Sequence, residues 1–297
     1  AVGPGLLFMA ASSLVSSIAF CEPIAHPKDE IVKGVATAEV AQFKASVANA
    51  RPSPSLKRYR GTKHAAVVGD YIELSGTKFV LWGGERSGVM PKGVAVTRDG
   101  KWGLASNLGR IDKHNVSVYQ SIPFNYERSI SHSGNAIEVL PSVDGKRIFV
   151  TNQEKYGYLD ILDAGSLERV DRIRVTGFPK WMTESADGKY LYLSLWSGNG
   201  VARITWPEGK IEKLKTRGSA RYGEKRPSKH PRGMVLTRDG KTLLVANNSD
   251  RSLSLIDVDT FKERKRINIG RAPRHVVLSP DGKTAVISET GRGIAFF

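Results

Sequence analysis

The chain of 297 residues contains a single cysteine, Cys21, so an intramolecular disulfide is excluded. A structural zinc site usually needs two or more cysteines and is not expected either. The six histidines include no pair at ligand spacing within one strand or helix. The motifs Gly-x-Ser-x-Gly and His-Glu-x-x-His and a phosphate-binding glycine loop are also missing. The sequence therefore predicts no catalytic residue, no metal and no cofactor.

Acidic residues are few compared with basic ones. The chain has 29 Asp and Glu against 45 Lys and Arg, a formal net charge of +16. Such a charge favours anionic partners but carries no information about the fold. It leaves open a basic surface that contacts only solvent, or one that binds an anionic protein, nucleic acid, glycan or lipid headgroup.

Charged residues are absent from residues 1–21. Residues 5–20 form an apolar run that is short for a membrane span and typical of the core of a secretory signal. We therefore expect a signal peptide over residues 1–21, with a buried N-terminal helix as the alternative. Residues 18–21 resemble a bacterial lipobox, which makes Cys21 a candidate for lipidation. The protein is then periplasmic, or attached to the outer membrane or cell surface, and it contacts a membrane only through that anchor.

A repeat dominates the rest of the chain, after a linker expected over residues 22–60 with a short helix. The tripeptide Asp-Gly-Lys occurs five times, at spacings of 45, 43, 52 and 42 residues. Asp-Gly favours a hairpin turn, because glycine accepts the positive φ that the turn demands. A proline lies eight residues before four of the five Asp residues, and Ala136 takes its place in the second repeat. Short apolar segments around each turn predict four antiparallel strands per repeat.

Four short strands in a unit of about 43 residues are typical of a β-propeller blade. The sequence thus predicts an all-β fold over residues 61–297, a β-propeller of four-stranded antiparallel blades. Two further strands are expected within residues 70–84. These strands combine with the last repeat to close a five-bladed ring, or the sequence is a truncated seven-bladed ring. Four tryptophans are expected to pack between blades: Trp102, Trp181, Trp196 and Trp206.

Two segments resemble a known family. Residues 149–152, Phe-Val-Thr-Asn, differ by one conservative change from the tetrapeptide of the YVTN-type repeats, and residues 273–283 resemble the turn motif of that family. Over about residues 60–297 the chain is therefore similar to YVTN-type β-propellers, within a superfamily of cytochrome d1-, lactonase- and quinoprotein-like propellers. The resemblance implies the fold and is compatible with a binding scaffold or an enzyme.

The first strand of each blade is expected to line a central channel. The residue after the repeated proline is basic in four repeats, so we predict a ring of cations that attracts an anion, with two histidines beside it. The predicted ligand-binding residues are Lys92, Lys180, Arg232, Arg274, His230 and His275. In the alternative interpretation, these cations pair with carboxylates or carbonyls and only hold the ring together.

The spacing of 52 residues comes from a basic insertion. Its cations include Arg217, Arg221, Lys225, Arg226 and Lys229. It is either a solvated loop or, because Tyr222 lies among the cations, a clamp for nucleic acid. The sequence as a whole predicts an exported, monomeric scaffold for an anionic ligand or protein partner. The alternative is a propeller enzyme of lactonase or quinoprotein-like type, since one fold hosts both roles.

Overall fold

The computed structural model describes residues 71–74, 77–80, 90–108, 115–121, 125–131, 134–154, 156–215, 230–269, 272–290 and 293–297. The expected signal peptide with Cys21 and the expected linker lie outside these ranges. The basic loop residues also lie outside them: Arg217, Arg221, Lys225, Arg226 and Lys229. Every regular element in the described ranges is a β-strand, and no helix there is long and apolar enough to cross a membrane.

The described strands form six antiparallel sheets. The first is the hairpin of β1 (Tyr71–Leu74) and β2 (Thr77–Val80). Blade 1 contains β3 (Pro91–Val96), β4 (Trp102–Asn107), β5 (Val116–Gln120) and β6 (Asn125–Ile130). Blade 2 contains β7 (Ala136–Pro141), β8 (Arg147–Asn152), β9 (Tyr158–Asp163) and β10 (Arg169–Arg174). Blade 3 contains β11 (Pro179–Glu184), β12 (Tyr190–Leu195), β13 (Gly200–Thr205) and β14 (Lys210–Lys215).

The last two blades continue the same order. Blade 4 contains β15 (Pro231–Leu236), β16 (Thr242–Asn247), β17 (Ser252–Asp257) and β18 (Lys262–Asn268). Blade 5 contains β19 (Pro273–Leu278), β20 (Ala285–Glu289) and β21 (Gly293–Phe296). The prediction of an all-β propeller with five blades is confirmed. Within the described residues, β1 and β2 pair only with each other and do not add a strand to blade 5.

The five Asp-Gly-Lys turns have one and the same hydrogen-bonded structure. A hydroxyl two residues before each Asp donates to its Oδ1 at 2.5–2.6 Å, from Thr97, Ser142, Ser185, Thr237 and Ser279. The same Oδ1 accepts the Lys N–H at 3.0 Å in every turn. The turn glycines have φ between 69° and 74°, as the hairpin requires. The sequence repeat is therefore a structural repeat, and it ends each first strand at the same level.

Apolar side chains are buried between adjacent blades. Phe149 packs toward blade 3, while its neighbours Ile148 and Val150 pack toward blade 1, and all three are fully buried. Similar layers join blades 3 and 4, and blades 4 and 5. The inner strands of consecutive blades contact one another from β3 to β19. Stacking therefore brings residues that are far apart in sequence to the propeller axis.

Our first prediction concerns the approach of β15 to β19. A Cβ on Gly233 would lie 2.7 Å from Cα of His275, a contact that only a shift of the backbone relieves. Gly233→Ala is expected to lower the free energy of unfolding by about 1–3 kcal/mol, the usual cost of overpacking. Chemical denaturation measures this change. In the control Gly165→Ala, the new Cβ meets only Asp163 at an ordinary 3.4 Å, so stability should hold. Equal stabilities for the two variants would contradict the close approach.

Candidate functional site

The inner strands place the predicted cations at one end of the channel. Each inner strand begins at one face of the propeller and ends at an Asp-Gly turn on the opposite face. Four of them begin at the repeated prolines and β7 begins at Ala136. The next residues, Lys92, Ile137, Lys180, Arg232 and Arg274, therefore meet around the axis. We call this end of the channel, defined by these five residues, the channel mouth.

A break in strand pairing gives these residues their position. In blade 3 the register runs from the Pro179–Leu195 pair to the Met182–Leu193 pair, so Lys180 and Trp181 lie in an irregular step. The step leaves the N–H of Trp181 without a backbone partner in the ladder, and Ser194 Oγ accepts it at 2.9 Å. The same bond joins Gly93 to Ser106, Glu138 to Thr151 and His275 to Ser288. Blade 4 has Ala246 at this position.

Two of these hydroxyls also connect neighbouring blades. Ser106 Oγ donates to the carbonyl of Ile137 at 2.8 Å, and Thr151 Oγ1 donates to the carbonyl of Lys180 at 3.2 Å. Each hydroxyl thus accepts a hydrogen bond within its own blade and donates one to the next. The backbone under Lys180 is held by two blades at once, which fixes the root of its side chain.

An indole ring lies at the centre of the cation cluster. Lys180 Nζ is 4.1 Å from the centroid of the Trp196 ring, and Arg232 Cζ is 4.4 Å from it. The His230 ring stacks on the same indole, with 4.1 Å between centroids and 11° between planes. The prediction that Trp196 packs between blades is wrong, because this residue follows β12 and its ring faces the channel mouth. Trp102, Trp181 and Trp206 do pack against the interblade cores.

One residue further along each inner strand lies a second layer, of which the sequence analysis identified only His275 as a site residue. It consists of Gly93, Glu138, Trp181, Gly233 and His275. The Trp181 and His275 rings meet edge to face at 4.8 Å, and the indole N–H donates to the carbonyl of Met234. The Glu138 carboxyl lies against Gly93, where a Cβ would collide with it. The repeat register alone was enough to find this layer, by reading two residues past each strand start.

The cations of the channel mouth have no carboxylate to neutralise them within the described residues. Desolvation, followed by the charges of Arg232, Lys92 and Arg274, lowers the pKa of Lys180 to about 8. Desolvation and Arg274 lower the pKa of Arg232 to about 10. None of the four cations is in an ion pair in this part of the chain. Buried Nε of Arg232 also finds no hydrogen-bond partner there.

An arginine in the body of a blade, Arg172, has ion-pair partners and a raised pKa, in contrast to the channel-mouth cations. Arg172 in blade 2 lies 2.5 Å from the buried carboxylate of Asp160 and 2.9 Å from that of Glu154. Its hydrogen bond to Asp160 raises its pKa, as expected for a cation with a partner. This cation within a blade is therefore paired with carboxylates. The described residues provide no such pairing at the channel mouth.

Two side chains of the second layer, Glu138 and His275, have shifted pKa values. The pKa of Glu138 is raised and that of His275 is lowered. Burial raises the pKa of Glu138 to about 8, so this carboxyl is mostly protonated at neutral pH. Desolvation, and then Arg274, Arg232 and Lys180, lower the pKa of His275, although the residue keeps an exposed surface. At neutral pH the layer therefore offers a carboxylic acid and a neutral imidazole.

Four of the six predicted binding residues belong to the channel mouth, His230 stacks on the Trp196 ring beside it, and His275 lies one residue deeper in the second layer. Lys92 is exposed and acts on Lys180 from blade 1, while Ile137 is the gap in the ring. The basic insertion connects Lys215 at the end of β14 to His230, so both of its ends are at this face. No three His, Cys, Asp or Glu side chains come together as a metal site in the described ranges.

A separate cavity of about 560 Å³ lies at the opposite face, between the turns of blades 2 and 3. Its lining mixes both signs of charge, with Asp144, Arg147, Asp187 and Lys189 beside Trp206. It contains none of the channel-mouth cations. Its charges are those of the turn carboxylates and their neighbours, so it offers no comparable attraction for an anion.

No family model matches the chain, and no curated protein matches it. Among solved structures, hydrazine synthase from Kuenenia stuttgartiensis matches with a TM-score of 0.60 and 19% identity over 70% of this chain and 71% of that one. The periplasmic gluconolactonase PpgL from Pseudomonas aeruginosa matches with a TM-score of 0.58 and 19% identity over 67% and 63%. The propeller domain of Cps50 (Swd1) from Myceliophteria thermophila matches with 0.58 and 16% over 72% and 66%. The chain thus spans less than two thirds of the last two structures, and the likeness shows the fold alone.

The second prediction tests whether Lys180 has a structural role. With its pKa lowered, the folded state binds fewer protons than the unfolded state between about pH 8 and 10.5. Stability therefore rises with pH across that window, and the charged amine is unfavourable below it. Lys180→Met is expected to increase the free energy of unfolding at pH 7 by about 1 kcal/mol, a value reduced for solvent screening of a half-exposed group.

Urea denaturation at pH 7 and pH 10 measures this effect, and the gain should shrink at pH 10. Lys265→Met is the matched control, because Lys265 is an exposed lysine on the outer strand β18 and is not one of the channel-mouth cations. A loss of stability in Lys180→Met at pH 7 would show that the cation supports the fold.

Proposed function

We propose that the chain is an exported β-propeller that binds an anionic ligand or the anionic segment of a protein partner at its channel mouth. The observation that carries the proposal is a cluster of four cations without a neutralising carboxylate in the described residues. Their repulsion and partial burial raise the free energy of the unliganded protein. A bound anion removes that cost, which makes uncompensated charge in a concave site a functional signal.

The geometry of the cluster suits a carboxylate or phosphate. Arg232 retains a buried N–H without a partner in the described part of the chain, and a guanidinium fork matches both oxyanions. Its position is set by stacking on Trp196, and Lys180 is held on the same ring. Side chains that are already ordered lose little conformational entropy on binding, so the site is preorganised for an anion.

The comparisons are compatible with this proposal without selecting it. They include a propeller domain and a lactonase, and propellers host both binding and catalysis. Membership of the YVTN-type repeat family rests on the Phe-Val-Thr-Asn segment in β8 and is part of the proposal. Export rests on the apolar run of residues 5–20.

The third prediction tests the anion site directly. Calorimetric titration with pyrophosphate or citrate should show binding to the parent protein that weakens as salt concentration rises. Arg232→Gln should weaken that binding by roughly 10- to 100-fold, since hydrogen bonds to charged groups contribute about 1.5–3 kcal/mol.

The matched control is Arg264→Gln. Arg264 carries the same charge on the outer strand β18, where its side chain is 57% exposed. This change should leave binding nearly intact. If both variants lose the same anion affinity, the effect comes from net charge and not from a site at Arg232. If the parent protein does not bind these anions, the proposal is refuted.

A second candidate function is hydrolysis of an anionic or polar ester such as a lactone. Glu138 and His275 favour it, because one is a protonated acid and the other a neutral base at pH 7, one residue deeper than the cations. Groups with pKa values shifted toward neutrality suit proton transfer. One matching structure is itself a gluconolactonase, which is consistent with this candidate.

The fourth prediction separates the two candidates. An enzyme of this type should hydrolyse members of a lactone panel that includes gluconolactone, and Glu138→Gln should lower kcat by 100-fold or more, on the order of one general acid–base contribution. The matched control is Glu168→Gln, since Glu168 is an exposed carboxylate on the surface of blade 2. If the parent protein binds anions but hydrolyses nothing in the panel, the hydrolase candidate is refuted and only the binding function is kept.

A further inference from the structure

We propose that Lys180 is a reactive amine that forms a Schiff base with anionic carbonyl compounds, namely aldehydes and 2-oxo acids that bear a phosphate or carboxylate. The proposal rests on the proposed anion site and deepens it, because it names a chemical class of ligand and a covalent contact. It follows from the surroundings of the amine, which differ from those of the other described lysines.

The surroundings of Lys180 favour the uncharged amine. Its side chain is half-buried, and Nζ lies against the face of the Trp196 ring. That contact holds the amine in place but itself favours the charged form, so the uncharged form depends on the loss of water and on the neighbouring charges. The charges that act on it are those of Arg232, Lys92 and Arg274, all of the same sign. Desolvation and nearby cations are the two established ways in which proteins convert a lysine into a nucleophile. Its pKa of about 8 agrees with this geometry.

The lowered pKa increases the amount of uncharged, nucleophilic amine by more than a hundredfold at neutral pH. At pH 7 an amine with a pKa of about 8 contains roughly 300 times more free base than one at the ordinary 10.5. Lys101, by comparison, is an exposed residue beside Trp102 and lies next to the Asp99 carboxylate in its turn. Lys101 therefore has an opposite charge beside it, where Lys180 has three like charges.

The neighbouring arginines complete the site. A guanidinium remains charged at neutral pH and forms no stable imine with a simple aldehyde, so Arg232 and Arg274 would bind the anionic group while the amine attacks. The amine nitrogen adds to the carbonyl carbon, forming a C–N bond, and the carbonyl oxygen leaves as water with both amine protons. The products are an imine and one water molecule, with no change of oxidation state. Anion binding and imine formation thus use different side chains of one cluster.

The fifth prediction uses pyridoxal 5′-phosphate as an anionic aldehyde and pyridoxal as its counterpart without the phosphate group. The full chain is incubated with each at pH 7.5 and reduced with borohydride, and adducts are located by peptide mass mapping. Lys180 is expected to react with pyridoxal 5′-phosphate on the order of tenfold faster than any other lysine, and this preference over the other lysines should be smaller with pyridoxal. Lys180→Arg should remove that adduct, and Lys101→Arg is the matched control that should keep it.

The outcomes distinguish this inference from the anion site beneath it. Pyrophosphate should compete with pyridoxal 5′-phosphate, and Arg274→Gln should slow the phosphate-dependent reaction. If pyrophosphate binds in calorimetry but the label is spread over exposed lysines, the reactive amine is refuted and the anion site stands. If the preference for Lys180 over the other lysines is the same with both aldehydes and pyrophosphate does not bind, the anion site is refuted and the proposal falls with it.

Discussion

The stacking of sheets with two apolar faces is the constraint on which this protein depends. Phe149 is buried against one neighbour while Ile148 and Val150 are buried against the other. Such a sheet cannot stand alone in water, so the blades must stack, and stacking brings the inner strands to one axis. Burial of a large apolar side chain contributes about 1.5–3 kcal/mol.

Hydrogen bonds from Ser106 and Thr151 fix the positions of blades 1, 2 and 3 relative to one another. Apolar stacking has no direction, and alone it would tolerate a shift of one blade against the next. The bonds from Ser106 and Thr151 to the carbonyls of Ile137 and Lys180 do not tolerate it, because a shift would leave buried donors and acceptors unpaired. The cations are therefore close together as a consequence of backbone geometry, and their side chains need no attraction for each other.

The sequence predicts what is local and repeated, and fails where contacts join distant segments. The turns, the strands and the basic residue after each strand start recur at a fixed spacing, so they were found. The contact of Glu138 with Gly93 spans two repeats, and no periodic signal marks it. Trp196 lies beyond the end of β12, outside the repeated strand pattern, so nothing local indicates that Lys180 and Arg232 stack on it. Whether a tryptophan fills a core or faces a channel depends on a loop conformation set by several blades.

The contrast between two kinds of basic residue is the strongest argument that the channel mouth has a function. In the body of the blades, Arg172 is paired with Asp160, Arg203 with Glu212, and Arg266 with Asp250. The same chain therefore has the means to neutralise a partly buried cation, and uses them. At the channel mouth desolvation, followed by neighbouring charges of the same sign, lowers the pKa of Lys180 and of Arg232, and the described residues place no carboxylate beside them. Uncompensated charge that costs stability is a feature of binding and catalytic sites, and it is the reason that we propose an anion as the ligand of this one.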